Sequence, residues 1–224
     1  MRSRLRAAGT LAALAAIAVL ISGCSSPDDW SRPHAKPSPV GTLGHGFVDP
    51  TAPPTPEATI TPRPGSWDGV HPSPGYRVVL LTAGDDPQTK TLVTAVTEWA
   101  EQERVSLKTV QAARPDQFIP SITQAMDLAP DLIISAGNDL IDPLAQVTPN
   151  HLDQQFLVVG AELAEPTANV TAADWAGASF RGEGLGMSST YDPASFTPER
   201  TAAAVRAGVA SVLNGLTGIV IWLN

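Results

Sequence analysis

From Tyr76 onward, short apolar runs alternate with segments whose apolar residues recur at helical spacing. Arg77-Val78-Val79-Leu80-Leu81-Thr82 is nearly continuous and ends in Ala83-Gly84, the pattern of a strand buried on both faces. Asp85-Asp86-Pro87 then supplies a capping side chain and a proline near the first helical position. Leu92, Val96, Trp99 and Ala100 share one face of the helix that follows, with Glu98, Glu101, Gln102 and Glu103 elsewhere. The pattern predicts a second strand over 106–112. A helix starting at Asp116 carries Ile119, Ile122, Met126 and Leu128 and is stopped by Pro130. Residues 132–137 form the third strand.

Asn138 and Asp139 open another helix that ends near Thr148-Pro149. Residues 156–160 read as a fourth strand and 169–173 as a short fifth. Thr197-Pro198-Glu199-Arg200 is a strong helix start, residues 202–213 continue it, and Gly215 ends it. Residues 217–223 make a final strand. Strands alternating with helices imply a parallel sheet covered on both faces, a three-layer α/β fold.

Upstream, the periodicity disappears. Residues 25–75 hold more than half of the 21 prolines, mixed with Ser, Thr and Gly, as in Pro50-Thr51-Ala52-Pro53-Pro54-Thr55-Pro56. Such a composition predicts an extended, disordered tether that cannot bury enough apolar surface to order itself. Trp30 and Trp67 have no role in that reading, and His34, His45 and His71 are too scattered for a metal site. Before the tether, Arg2, Arg4 and Arg6 precede an apolar run over 7–21 and the small residues Ser22 and Gly23. That order fits an export signal better than a spanning helix. The expected organisation is a signal peptide over 1–23, a tether over 24–75 and an α/β domain over 76–224.

Charge and composition then exclude some functions. Fourteen basic against 22 acidic side chains leave a net charge of −8, opposite to what displaces counterions from nucleic acid. Aromatics at 5% offer little for a stacking platform. The single cysteine, Cys24, excludes a disulfide framework and a zinc-finger module. Ile21-Ser22-Gly23-Cys24 resembles the lipobox of bacterial lipoproteins, which implies a diacylated Cys24 as mature N-terminus and a stable membrane anchor.

Ligands of open parallel sheets bind outside the carboxyl ends of the strands. Three polar clusters fall there: Thr82 with Asp85 and Asp86, Ser135 with Asn138, Asp139 and Asp142, and the segment after Val159. Carboxylates and amides without Lys or Arg suit hydroxyls of a sugar or nucleoside, or an amine, better than a phosphate. Asp85, Asp86, Asn138 and Asp142 are therefore the candidate ligand contacts, with helix capping as the competing role of Asp85 and Asn138. A catalytic reading finds little support. His151 is the only histidine of the domain and sits in a turn sequence. There is no G-x-S-x-G or Gly-Lys-Ser pattern, and Gly182-Glu183-Gly184-Leu185-Gly186 lacks the dinucleotide spacing. No enzyme activity, cofactor or metal is expected.

The segments Leu80-Leu81-Thr82-Ala83-Gly84-Asp85-Asp86, Pro130-Asp131-Leu132-Ile133-Ile134-Ser135-Ala136-Gly137 and Gln155-Phe156-Leu157-Val158-Val159-Gly160 carry a family likeness. So do Ala168-Asn169-Val170 leading to Ser179-Phe180-Arg181-Gly182-Glu183-Gly184, and Ala207-Gly208-Val209-Ala210 running into Thr217-Gly218-Ile219-Val220. In this order they resemble the first lobe of the basic membrane protein family, the lipid-anchored substrate-binding proteins of ABC importers with the type I periplasmic-binding-protein fold. The resemblance implies a bacterial membrane protein on the extracytoplasmic face, a nucleoside-like or other small polar solute, and an ABC permease as partner. The second lobe of such proteins is absent from the sequence, and Asp86-Pro87-Gln88-Thr89-Lys90 keeps the acid of the family's first loop without its aromatic. The alternative is a surface interaction or sensory lipoprotein that has lost the transport ligand.

Overall fold

The computed structural model describes residues 29–34, 36–164, 166–178 and 190–224. The strands are β1 (Pro39–Gly41), β2 (Thr59–Ile60), β3 (Val70–Pro72), β4 (Arg77–Ala83), β5 (Ser106–Ala112), β6 (Leu132–Ala136), β7 (Phe156–Val159), β8 (Val170–Trp175) and β9 (Val220–Leu223). The α-helices are α1 (Pro87–Glu103), α2 (Phe118–Asp127), α3 (Ile141–Val147) and α4 (Pro198–Leu213). Seven strands form one sheet in the order β2-β9-β8-β7-β6-β4-β5, and every pairing within it is parallel. This is the three-layer α/β architecture that the alternating pattern predicts.

All seven residues of β4 are buried, yet the pleat divides them between two cores. Val78 and Leu80 join Leu132, Ile134, Leu157, Val159 and Trp99 beneath α1 and α4. Val79 and Leu81 join Ile133, Phe156, Val158, Ile122 and Leu144 beneath α2 and α3. Helix starts follow local chemistry. Asp86 caps α1 through Thr89, with Pro87 at the first helical position, and Thr197 caps α4 through Arg200, followed by Pro198.

The proline-rich segment is where the structure departs from expectation. From Asp29 to Gly75 its described residues fold against the domain instead of trailing as a disordered tether. Trp30, Phe47 and Trp67 are buried, the last two in the α1/α4 core and Trp30 in the other. β1 pairs antiparallel with β3, and β2 joins the large sheet beside β9 as its outermost strand. Backbone groups are paired as well. Gly44 donates to Ser66 O at 2.6 Å, Arg63 to Gly46 O at 2.8 Å, Glu57 to Gly218 O at 2.8 Å, and Val220 to Ala58 O at 3.0 Å. The physical reason is spacing. A few large aromatics, set far apart, each remove a large apolar area from water, while prolines between them restrict the unfolded chain and lower the entropy lost on folding. Average composition hides such anchors.

This wrap covers the pole where the strands begin. The Arg77 guanidinium donates to Arg32 O at 2.9 Å and Asp29 O at 3.0 Å. Asp131, just before β6, accepts from the Arg77 backbone N–H at 2.9 Å and contacts His34 Nε2 at 2.8 Å. The Trp30 indole donates to Ser106 Oγ at 2.8 Å, and Lys108 Nζ lies 4.4 Å from the centre of its ring. His71 Nδ1 meets Glu103 at the end of α1, 2.9 Å away. His34 and His71 are thus separate links between wrap and domain, and His45 lines the wrap's own cleft. Cys24 lies outside the described residues.

Candidate functional site

The chain leaves β4 to one side, through α1 into β5, and returns through α2 to β6 on the other side of β4. The carboxyl ends of β4 and β6 therefore flank the topological switch point, where the two diverging connections open a crevice. Two glycines shape its floor. Gly137, at φ +112°, follows β6 so closely that a Cβ there would lie 2.8 Å from Ala83 O. Gly84, at φ +83°, sits between acids: a Cβ on it would be 3.3 Å from Asp86 Oδ2 and 3.6 Å from Asp139 Oδ2.

Of the four predicted contacts, Asp85, Asp86 and Asn138 stand exposed at this switch point. Asp86 is engaged as the helix cap. Oδ1 accepts from the Thr89 N–H at 2.9 Å and Oδ2 from Thr89 Oγ1 at 2.7 Å. Partial burial pushes its carboxyl up, but the Thr89 hydrogen bonds outweigh this and hold it below the usual carboxylate range. It is a fixed negative charge more than a free hand. Asp139 replaces Asn138 as the residue brought against the β4 loop. Asp142 lies further along, exposed in the first turn of α3. Thr82 and Ser135 are buried on β4 and β6, and neither hydroxyl has a hydrogen-bond partner among the described residues.

Three further residues extend the site beyond what the sequence pattern marks. Tyr191 stands 48% exposed, close enough to Asp86 for that charge, with partial burial as the larger cause, to raise its phenol above the ordinary value. Its ring meets Phe196 edge-on at 6.0 Å, and Phe196 meets Trp175 at 5.0 Å. Phe196 is seated over the end of β7 because Gly160 leaves room: a Cβ there would be 2.8 Å from the Phe196 ring. The remaining two, Glu162 after β7 and Asp174 in β8, are buried and share a hydrogen bond. Burial, followed by the facing Glu162, pushes the Asp174 carboxyl up to about 9, and burial raises Glu162 as well. The two carboxyls therefore favour a state in which the pair keeps a proton.

Geometry defines what this pole can do. It offers fixed carboxylates, an exposed phenol ring and strand-end backbone groups, with exposed Lys90 in the first turn of α1 and Arg114, paired with Asp116, after β5. Hydroxyls, amines and planar polar rings match that set; anions do not. Among the described residues, no three His, Cys, Asp or Glu side chains converge as a metal centre would require. His151 is exposed in its turn, and Gly182 to Gly186 lie outside the described residues. A separate cleft of about 890 Å³ lies within the wrap beside the β2 edge, lined by Leu43, Phe47, Val48, Pro54, Ile60 and others.

The fold and site define a parallel α/β domain with a polar crevice at its switch point. No family model matches the chain, and no curated protein matches it. Among solved structures it is similar to a fragment described as a lipoprotein from Peptoclostridium difficile 630. The identity is 17% and the TM-score 0.46, over 62% of this chain and 98% of that one. It is also similar to ABC transporter solute-binding proteins from Aeropyrum pernix K1 (19% identity, TM-score 0.41) and Conexibacter woesei DSM 14684 (22% identity, TM-score 0.38). Those matches cover 46% and 45% of this chain but only 29% and 35% of the solute-binding proteins.

Proposed function

We propose that this chain is a lipid-anchored, extracytoplasmic, solute-binding-like protein. In this reading it takes a nucleoside-like or other small polar solute at the carboxyl ends of β4 and β6 and is associated with ABC uptake, without catalysing a reaction. The supporting observation is the convergence at one switch point of Asp85, Asp86 and Asp139 with the exposed Tyr191 ring. Carboxylates accept from sugar hydroxyls while the phenol ring covers a planar face, a combination of few polar groups beside an aromatic wall that small-molecule sites commonly use. Asn138 and Asp142 are outer contacts in this reading. The segment likeness to the basic membrane protein family and the lipobox-like Ile21 to Cys24 support the transport association and the anchor.

Calorimetric titration of residues 29–224 with a panel of nucleosides and neutral sugars tests it. Binding that Asp85→Ala and Tyr191→Ala both weaken is the expected result. A panel without any binder contradicts it. The second reading, a surface interaction lipoprotein, is favoured by the separate cleft in the wrap, which a switch-point solute site does not require.

A further inference from the structure

The folded wrap changes where the domain sits relative to its proposed anchor. Asp29 and Trp30 are fixed at the pole where the strands begin, by the bonds of Arg77 to Asp29 O and of Trp30 to Ser106. Five residue steps, from 24 to 29, separate Cys24 from Asp29. A fully extended chain spans at most about 3.6 Å per residue, so Cys24 lies within ~18 Å of that pole. A disordered tether running to Gly75 would have allowed any distance up to many times this and any orientation.

We propose that the amino-end pole of the domain, around Asp29, Arg32 and Lys36, rests against a lipid bilayer, with the carboxyl-end crevice directed away from it. The placement rests on the reading of Cys24 as a lipidated N-terminus. β4 and β5 each run seven residues from this pole, about 23 Å at roughly 3.3 Å per residue, which sets the crevice beyond the headgroup layer. Arg32, Lys36 and Arg104 are exposed at the near pole. Its acids Asp29, Asp131 and Glu103 are paired with Arg32, His34 and His71, while Glu101, Asp127 and Asp153 remain exposed. Charge there is mixed. The far pole exposes Asp85, Asp86, Asp139 and Asp142 beside Lys90 and the Arg114–Asp116 pair, an acid excess that an anionic bilayer repels. Chain length carries the orientation.

The chain has no cysteine besides Cys24, so a thiol introduced elsewhere is a unique labelling site once Cys24 carries lipid. Full-length Arg32→Cys and Arg114→Cys, both at exposed side chains, place a fluorophore at the near and far poles, and Lys36→Cys repeats the near position. The proteins are purified from bacterial membranes and reconstituted in phosphatidylcholine–phosphatidylglycerol vesicles carrying headgroup nitroxides. Severalfold stronger quenching at positions 32 and 36 than at 114 is the expected result. Equal quenching at the two poles, or stronger quenching at 114, in chains that stay on the vesicles overturns the orientation alone. Recovery of the parent chain in the soluble fraction overturns the anchor and the orientation together.

Discussion

The two poles of this domain are built from opposite materials. At the amino-end pole, a proline-rich strap supplies buried aromatics, offers backbone carbonyls to Arg77 and pairs side chains with Asp131, Ser106 and Glu103. At the carboxyl-end pole, helix caps and strand ends expose Asp85, Asp86, Asp139 and Tyr191, and the close packing stops at Phe196 and Trp175. One pole spends its polar groups on internal bonds; the other leaves them facing outward. Stability and recognition therefore separate along the strand axis. Substitutions in the strap should unfold the chain, and substitutions in the crevice should change what it binds.

Truncation breaks the comparison most severely. A chain starting at Tyr76 loses Trp30, Phe47 and Trp67 from both cores and uncovers β9. Losing a large buried aromatic costs about 3–5 kcal/mol, and whole domains have only about 5–15 kcal/mol of stability. Residues 76–224 alone should show no cooperative melt by circular dichroism. Limited proteolysis of the longer chain should leave a core that begins near Asp29, not near Tyr76. A cooperative melt of 76–224 at the temperature of 29–224 would refute the strap as a structural part.

Point substitutions sharpen the same contrast. Trp67→Ala should cost about 3–5 kcal/mol in denaturant unfolding, whereas the half-exposed Tyr191→Ala should stay within about 0.5 kcal/mol. Similar losses at both positions would erase the distinction between the poles.

The buried acid pair gives a pH dependence of defined sign. Asp174 ionises near its ordinary value of 3.8 when unfolded and is pushed up to about 9 when folded, so the folded state binds the extra proton. Its contribution is fully present below pH 4 and fades as pH rises through 9, by at most about 1.4 kcal/mol per pH unit. Asp174→Asn should flatten the fall in stability between about pH 4 and pH 9, measured by denaturant midpoints. A variant with the parent's slope would show that the pair carries no shared proton.

The smallest effect concerns affinity without stability. Asp85→Ala should weaken solute binding about tenfold, roughly 1.4 kcal/mol, while its melting curve overlays that of the parent. A shifted melting curve would place Asp85 in the framework instead of the site.

Strong local periodicity made the domain legible. The second strand is β5, Ser106–Ala112, and Thr197 caps α4 as its sequence announces, whereas α1 is capped by Asp86 instead of Asp85 and Asn138 makes no cap hydrogen bond. Strand limits shift most at β8, which runs on to Trp175, and at β9, which begins only at Val220, while β6 and β7 each end one residue early. The seventh strand was illegible, because β2 is two residues long and gains its place from pairing with β9. Trp30 and Trp67 looked idle because a proline-rich average conceals single anchors that only tertiary contact explains. The site was half legible. Asp85 and Asp86 follow from the strand-end rule, and Asp139 overtakes Asn138 through the turn at Gly137. Tyr191 reaches the switch point from more than a hundred residues away, and Asp174 sits in a fully buried strand where alternation alone assigns no partner.

The most direct measurement is a residue-resolved solute titration of the chain, with Cys24→Ser to keep it in solution, followed by amide NMR shifts over the same nucleoside and sugar panel. The account predicts saturable shifts gathered in residues 84–89, 137–142 and around Tyr191, with the strap unchanged. Shifts confined to residues 43–61, or spread evenly over both poles, would contradict a recognition site at the carboxyl ends of β4 and β6.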